Sequence, residues 1–145
     1  MKEIIEIRDP QDYPQLLEVW ERSVRATHHF LQEEDITYYK PLIINAFFPQ
    51  VRLFGIKDYG NAYIAFLGLS PDKIEMLFID PSMRGKGLGK TLLRFAVDEL
   101  GIKKVDVNEE NEQAVGFYMK MGFHTESRME KDEQGKDYPI LQMTL

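Results

Sequence analysis

The stretch from Ile74 to Leu93 constrains the fold most, because its pattern is typical of an apolar strand, a glycine-rich basic turn and the start of a helix. Gly85, Gly87 and Gly89 let successive backbone N–H groups converge on one anion without obstruction by side chains. The helix that follows adds the positive end of its dipole. The same turn carries three cations, at Arg84, Lys86 and Lys90. The pattern therefore predicts a phosphate-binding loop.

Residue spacing separates three known kinds of phosphate loop. The end of a Walker A loop, Gly-Lys-Thr, matches residues 89–91, but Arg84 stands where its first glycine is required. A dinucleotide-binding fingerprint that starts at Gly87 meets Leu92 in place of its third glycine, and it normally opens a larger parallel sheet. The pattern Arg-x-x-Gly-x-Gly from Arg84, after a strand that ends in Ile-Asp-Pro, resembles the coenzyme A pyrophosphate loop of the Gcn5-related N-acetyltransferase (GNAT) family.

A second motif supports the same resemblance. Residues 111–123 begin with Asn, carry Phe-Tyr near the end and finish in Gly-Phe, which is similar to the helix that follows the pyrophosphate loop in that family. Residues 22–31 also resemble the small bacterial YjaB-like branch of the family, although this match is less specific. The first two signatures occur in the family's order and cover about the last half of the chain.

Length and composition set further limits. The chain of 145 residues is long enough for one domain, which we predict to be a single N-acetyltransferase domain spanning 1–145. The chain has 18 lysine and arginine residues and 24 acidic residues, which gives a net charge of −6. Because nucleic acid is a polyanion, no nucleic acid partner is expected. The absence of cysteine excludes a thiolate nucleophile. Without an apolar leader or a long apolar run, we expect a cytoplasmic monomer or homodimer with no membrane partner.

Hydrophobic periodicity and turn residues predict the architecture. The predicted strands are 5–7, 51–57, 62–69, 73–79, 103–108, 123–130 and 138–145. The predicted helices run over 12–26, 34–47 with its end marked by Pro49, 87–101 and 111–122. Strands 73–79 and 103–108 flank a helix, so they should be parallel. We therefore predict an α/β (α+β) fold like that of the family: a mixed, mostly antiparallel sheet of about seven strands, helices on both faces, and a splay between two central parallel strands.

The resemblance implies acetyl-coenzyme A as a co-substrate and a set of residues that bind it. These are Leu77, Phe78, Ile79, Arg84, Gly85, Lys86, Gly87, Leu88, Gly89, Lys90, Asn111 and Tyr118. A purely structural interpretation stays open for the last two, since an asparagine commonly caps a helix and a tyrosine commonly packs in a core. No metal is expected, because the histidines show no ligand spacing.

Acetyl transfer to an amine requires a base and an acid. Tyr118 is the candidate acid for the departing thiolate. Glu75 lies where some family members carry a catalytic carboxylate, but it shares the face of Leu77 only if no bulge interrupts the strand. Its position alone favours a solvated surface residue. His28, with His29 beside it, is the other candidate base, since the pKa of a histidine suits proton transfer. A purely structural interpretation, as part of a polar loop, stays open for both. Aromatic residues that line the acceptor pocket in this interpretation are Trp20, Phe30, Tyr38 and Tyr39. Aromatic residues at helical spacing also commonly pack in a core, and that interpretation stays open.

Three functions follow from these observations. The first is an acetyl-coenzyme A-dependent N-acetyltransferase that acts directly on a primary amine, the acceptor being an unidentified small molecule or protein. The second is a coenzyme A-binding sensor without catalytic activity. The third is a nucleotide hydrolase that uses residues 89–91, with Asp106 as the magnesium ligand.

Overall fold

One sheet of seven strands organises the computed structural model, which describes residues 3–145. The strands are β1 (Ile4–Ile7), β2 (Arg52–Lys57), β3 (Tyr63–Leu69), β4 (Lys73–Ile79), β5 (Lys104–Asn108), β6 (His124–Met129) and β7 (Ile140–Thr144). Their order in the sheet is β1-β2-β3-β4-β5-β7-β6, and only the β4–β5 pair is parallel. The predicted mixed, mostly antiparallel sheet is confirmed.

Within residues 3–145, five α-helices lie between these strands: α1 (Tyr13–Thr27), α2 (Glu33–Leu42), α3 (Phe48–Gln50), α4 (Leu88–Arg94) and α5 (Glu112–Lys120). A π-helical segment, Ile43–Phe47, joins α2 to α3, so the helical backbone continues past the end predicted from Pro49. Pro49 lies in the first turn of α3, where a missing N–H costs no bond within that helix. A second π-helical segment, Phe95–Glu99, extends α4.

Apolar side chains cover both faces of the sheet, as the strand alternation requires. On one face Leu16 and Val19 of α1 pack with Phe66 of β3 in one buried cluster. On the other face Leu92 of α4 belongs to a cluster with Leu67 of the same strand. Neighbouring residues of β3 thus point to opposite faces, and β3 is buried along its whole length. The predicted placement of helices on both faces is confirmed.

The two parallel strands separate soon after they meet. Their pairing is limited to Lys73 with Lys104 and Ile74 with Val105, and the rest of β4 pairs only with β3. The Asp80 N–H donates to the Ile64 carbonyl at 2.8 Å on the β3 side. Antiparallel alternation then directs the N–H and C=O groups of Leu77 and Ile79 to the opposite edge, into the gap. The predicted splay is confirmed, and it leaves backbone groups available along β4.

A β-bulge interrupts β4 at Glu75. Ile74 pairs with Leu69 and Met76 pairs with Gly68, so Glu75 has no partner residue on β3. Strand alternation would place Glu75 on the face of Leu77 only if the strand were uninterrupted. The bulge means that this condition is not met. The bulge sets the direction of the Glu75 side chain, which still reaches the wall of the gap.

Candidate functional site

A cleft of about 1040 Å³ fills the gap between the diverging strands, which is ample for a small-molecule ligand. Nearly all the predicted site residues line it: His28, Glu75, Leu77, Phe78, Ile79, Arg84, Gly85, Gly87, Leu88, Gly89, Lys90, Asn111 and Tyr118. Lys86 is the exception, since it is exposed and outside the wall. We call the part around residues 84–90 and α5 the glycine-turn end, and the part around Trp20, Tyr39 and Tyr138 the α2 end.

The glycine turn adopts a backbone that favours glycine. Gly85 has a φ of 74° and Gly87, the N-cap of α4, has a φ of 79°. A Cβ built at either position would meet no atom within 4 Å, so conformation rather than crowding explains these glycines. The Thr91 backbone N–H and hydroxyl both bond to the Gly87 carbonyl, at 3.0 and 2.9 Å. The Thr91 hydroxyl is therefore bonded within the helix. A Walker loop would require this hydroxyl to be free to bind a metal ion.

Helix α5 brings Asn111 and Tyr118 to the cleft. The Oδ1 atom of Asn111 accepts a hydrogen bond from the Ala114 N–H at 3.2 Å, so Asn111 caps the helix as well as facing the cleft. Tyr118 is only 5% exposed and packs against Phe117 and Phe123, with ring centroids 5.2 and 5.6 Å away. Its hydroxyl makes no hydrogen bond to a residue within 3–145. Burial raises the pKa of Tyr118 well above that of an ordinary phenol.

His28 follows α1 and contacts Asn111 across the cleft. Its Nε2 atom lies 3.2 Å from the Asn111 Nδ2 atom, and its Nδ1 atom lies 2.7 Å from the Thr27 hydroxyl. Burial lowers the pKa of His28 to about 4, with a further contribution from the positive charges of Arg84 and His29. The imidazole is therefore neutral near pH 7, and both of its nitrogens have partners.

Glu75 sits in a group of charged side chains where β4 and β5 part. Its Oε1 atom accepts a hydrogen bond from the Ser70 hydroxyl at 3.1 Å and lies 3.7 Å from the Lys73 ammonium. Lys73 is committed more closely to Asp106, at 2.8 Å. Burial raises the pKa of Glu75. The positive charge of Lys73 and the hydrogen bond from Ser70 oppose this increase, whereas the negative charges of Asp106 and Glu133 add to it. A carboxylate with a raised pKa is a stronger base than a solvated one.

At the α2 end, the segment between β6 and β7 is tied to α2. Asp35, which is 6% exposed, accepts hydrogen bonds from the Tyr138 hydroxyl, from the Lys136 ammonium at 3.0 Å and from the Gln32 N–H at 3.2 Å. The Tyr39 hydroxyl donates to Asp132 in the same segment. These contacts make Tyr138 part of the cleft wall.

Sequence reasoning found only part of this end. Trp20 and Tyr39 line the cleft as predicted, whereas Phe30 and Tyr38 do not. Tyr138 was missed: it lies 103 residues from Asp35, so no local pattern marks their contact.

Asp106, the magnesium ligand of the nucleotide hydrolase hypothesis, is bound to Lys73. No group of three or more histidine or acidic side chains within residues 3–145 is arranged to hold a metal ion. In the same part of the chain, no helix has both the length and the apolar character needed to cross a bilayer.

Comparisons with known proteins agree with the motifs. Residues 54–145 match the family model described as an acetyltransferase (GNAT) domain. The chain is 40% identical to the peptidyl-lysine N-acetyltransferase YjaB of Escherichia coli (strain K12) over 129 residues, which are 89% of this chain and 87% of that protein. The solution structure of apo YjaB from Escherichia coli superposes with a TM-score of 0.89 at 37% identity, covering 99% of this chain and 97% of that one.

A more distant structure shares the fold alone. It is the PaiA N-acetyltransferase from Thermoplasma acidophilum in complex with coenzyme A, with a TM-score of 0.76 at 20% identity, covering 100% of this chain and 99% of that one. The family match and the YjaB relatives leave no support for the nucleotide hydrolase hypothesis. This chain belongs to the GNAT family and is an N-acetyltransferase.

Proposed function

We propose that this protein moves an acetyl group from acetyl-coenzyme A directly to a primary amine, and that a lysine side chain of a peptide or protein is the first acceptor to test. The observation that carries the proposal is one continuous cleft lined by the glycine turn, the free edge of β4, Tyr118 and Glu75. The lysine acceptor is supported by the relative at 40% identity, which is named a peptidyl-lysine N-acetyltransferase. The acidic residues along the cleft are compatible with a cationic acceptor.

The glycine-turn end fits the coenzyme A part of the substrate. Backbone N–H groups of the turn, with Arg84 and Lys90 beside them, suit a diphosphate. The N–H and C=O groups of Leu77 and Ile79 suit the amides of an extended pantetheine arm, and Asn111 adds a side-chain amide. Acetyl-coenzyme A supplies the activated thioester, and a β4 N–H such as that of Leu77 polarises its carbonyl.

Glu75 is the proposed general base. A lysine ammonium has an ordinary pKa of about 10.4, so its proton must be removed before the nitrogen can attack. Glu75 lines the cleft, is held by Ser70 and has a raised pKa. His28, the other candidate, is a poorer base because its pKa is about 4 and its Nε2 atom is engaged by Asn111.

Tyr118 is the proposed acid near the sulfur of coenzyme A. Because burial raises its pKa, it keeps its proton at neutral pH and can donate a hydrogen bond to the departing thiolate. Complete proton transfer is less favourable than from an ordinary phenol, so charge stabilisation of the sulfur is part of the role. Without a cysteine there is no thiol for an acetyl-enzyme, which favours direct transfer.

The decisive experiment measures free thiol release from acetyl-coenzyme A with lysine-containing peptides, polyamines and amino acids, together with the mass of the acceptor product. We expect thiol release that depends on the amine, and a product heavier by one acetyl group on the lysine nitrogen. Tyr118→Phe should lower kcat by about a hundredfold and leave coenzyme A affinity nearly unchanged. Tight coenzyme A binding without acetylation of any acceptor would instead favour the sensor hypothesis.

A further inference from the structure

The hydrogen bond between His28 and Asn111 connects two walls of the cleft that are 83 residues apart in the chain. His28 directly follows α1, whereas Asn111 is the N-cap of α5. This contact therefore fixes the first turn of α5 relative to the end of α1, at the place where both face the ligand cleft.

The hydrogen bonds around this contact have one consistent direction. The Thr27 hydroxyl donates its only proton to the Ser23 carbonyl at 2.8 Å, so it must accept from His28 at Nδ1. The Nε2 atom of His28 is then unprotonated and accepts from Asn111. At the far end, the Ala114 N–H can bond only to Oδ1 of Asn111, which leaves Nδ2 facing His28.

We propose that His28 is a positioning residue, which holds the Asn111 side-chain amide in one orientation so that it can bind coenzyme A. This rests on the proposed function, in which Asn111 contacts that ligand. The amide nitrogen of asparagine carries two hydrogens, and only one is used by His28. The second hydrogen makes no hydrogen bond to residues 3–145. It is the donor that the contact with His28 directs into the cleft. The lowered pKa of His28 agrees with the neutral form that the direction of these bonds requires.

The first test uses the unaltered protein and needs no activity. Nitrogen-15 chemical shifts of the imidazole at pH 7 should show a protonated Nδ1 and an unprotonated Nε2 for His28, assigned by comparison with His28→Gln. A predominant Nε2–H form would place a proton against the Asn111 amide and would overturn the proposal.

The second test compares variants by calorimetry with coenzyme A itself. His28→Ala should weaken binding about three- to tenfold, the range expected for the loss of one hydrogen bond. His28→Gln keeps a hydrogen-bond acceptor at a similar reach. Its coenzyme A affinity, on a logarithmic scale, should lie at least halfway back from that of His28→Ala to that of the wild type. His29→Ala is the matched control, because His29 is the exposed neighbour, and its affinity should equal that of the wild type.

A double-mutant cycle separates positioning from general damage to the fold. Because His28 acts through Asn111, the pair His28→Ala and Asn111→Ala should bind no more weakly than Asn111→Ala alone. Effects that simply multiply, or a His28→Ala affinity equal to that of the wild type, would refute the positioning role. Failure of the wild type to bind coenzyme A would refute the proposed function instead, while the chemical shifts would still report on the hydrogen bonds.

Discussion

The two ends of the cleft are built in different ways. At the glycine-turn end, the loop proposed to hold the diphosphate is one continuous stretch, residues 84–90, and it relies on backbone N–H groups and positive φ angles. At the α2 end, the wall depends on side chains that meet across the chain, with Asp35 joining Lys136 and Tyr138. The proposed diphosphate loop is therefore encoded within one short segment, whereas the wall at the α2 end is encoded by tertiary contacts.

This difference predicts which changes affect which substrate. Damage to the glycine-turn end should affect acetyl-coenzyme A. Damage to the α2 end should affect the acceptor, because Trp20 and Tyr39, two of the aromatic residues predicted for the acceptor pocket, line the cleft there. Changes at Glu75, where β4 and β5 part, should affect the chemical step. Variants at each of these places test the division.

Gly87→Glu should abolish coenzyme A binding and activity. The substitution places a negative charge in the proposed diphosphate site and a side chain at a φ of 79°. Gly101→Glu is the matched control, because Gly101 also has a positive φ, 70°, with no atom near an added Cβ, and it does not line the cleft. Calorimetry should show no binding by the first variant and near-normal binding by the second. Equal losses would mean that backbone strain, and not the anion site, is responsible.

Glu75→Gln should lower kcat/KM by about a hundredfold, within the range for a lost general base. A base works when ionised, so wild-type activity should rise with pH through the Glu75 pKa. Since burial raises that pKa, this rise should occur at higher pH than an ordinary glutamate would give. The variant should lose this limb of the pH profile. Glu126→Gln, on exposed β6, is the control and should keep the wild-type profile.

Asp35→Asn should raise the KM for the amine several-fold without changing the KM for acetyl-coenzyme A, and should destabilise the fold by about 1–3 kcal/mol. The Tyr138 hydrogen bond, opposed by burial and aided by Lys136, lowers the pKa of Asp35. The stability that ionised Asp35 gives to the fold is therefore present above the pKa of about 3.9 that the group has in the unfolded chain. This stability is lost as the pH falls through the lower pKa of the folded state.

Urea unfolding should accordingly show the difference between wild type and Asp35→Asn at pH 7, and a smaller difference as the pH is lowered below about 4. Glu34→Gln, an exposed carboxylate in the same helical turn, is the control. An Asp35 variant with an altered KM for acetyl-coenzyme A and an unaltered KM for the amine would contradict the division between the two ends.

Lys86→Ala should have the smallest effect, less than about twofold in coenzyme A affinity, because Lys86 is exposed and outside the cleft wall. Lys90→Ala, which removes a cation from the wall, should weaken binding by about three- to fivefold. Titration of coenzyme A into both variants at low and moderate salt gives the comparison. A larger loss from Lys86 would show that this side chain turns toward the ligand on binding.

The sequence predicted features that depend on neighbouring residues. The glycine turn, the parallel strands around α4 and the helix cap at Asn111 all follow from spacing within short segments. The bulge at Glu75 was not predicted, because no glycine or proline in β4 marks it. The contact between His28 and Asn111 was not predicted either, since it depends on how α1 and α5 pack across the sheet.

The short pairing of β4 with β5 has a mechanical consequence. Within residues 3–145, two residue pairs, Lys73 with Lys104 and Ile74 with Val105, make up the strand pairing along the seam between a four-stranded unit, β1 to β4, and a three-stranded unit, β5 to β7. Few backbone bonds therefore join the two units, and side-chain packing does the rest, since Ile74 of β4 and Val105 of β5 belong to one buried cluster. Amide hydrogen exchange should therefore be faster along the seam than inside either unit, and an extended substrate bonded to β4 should slow it.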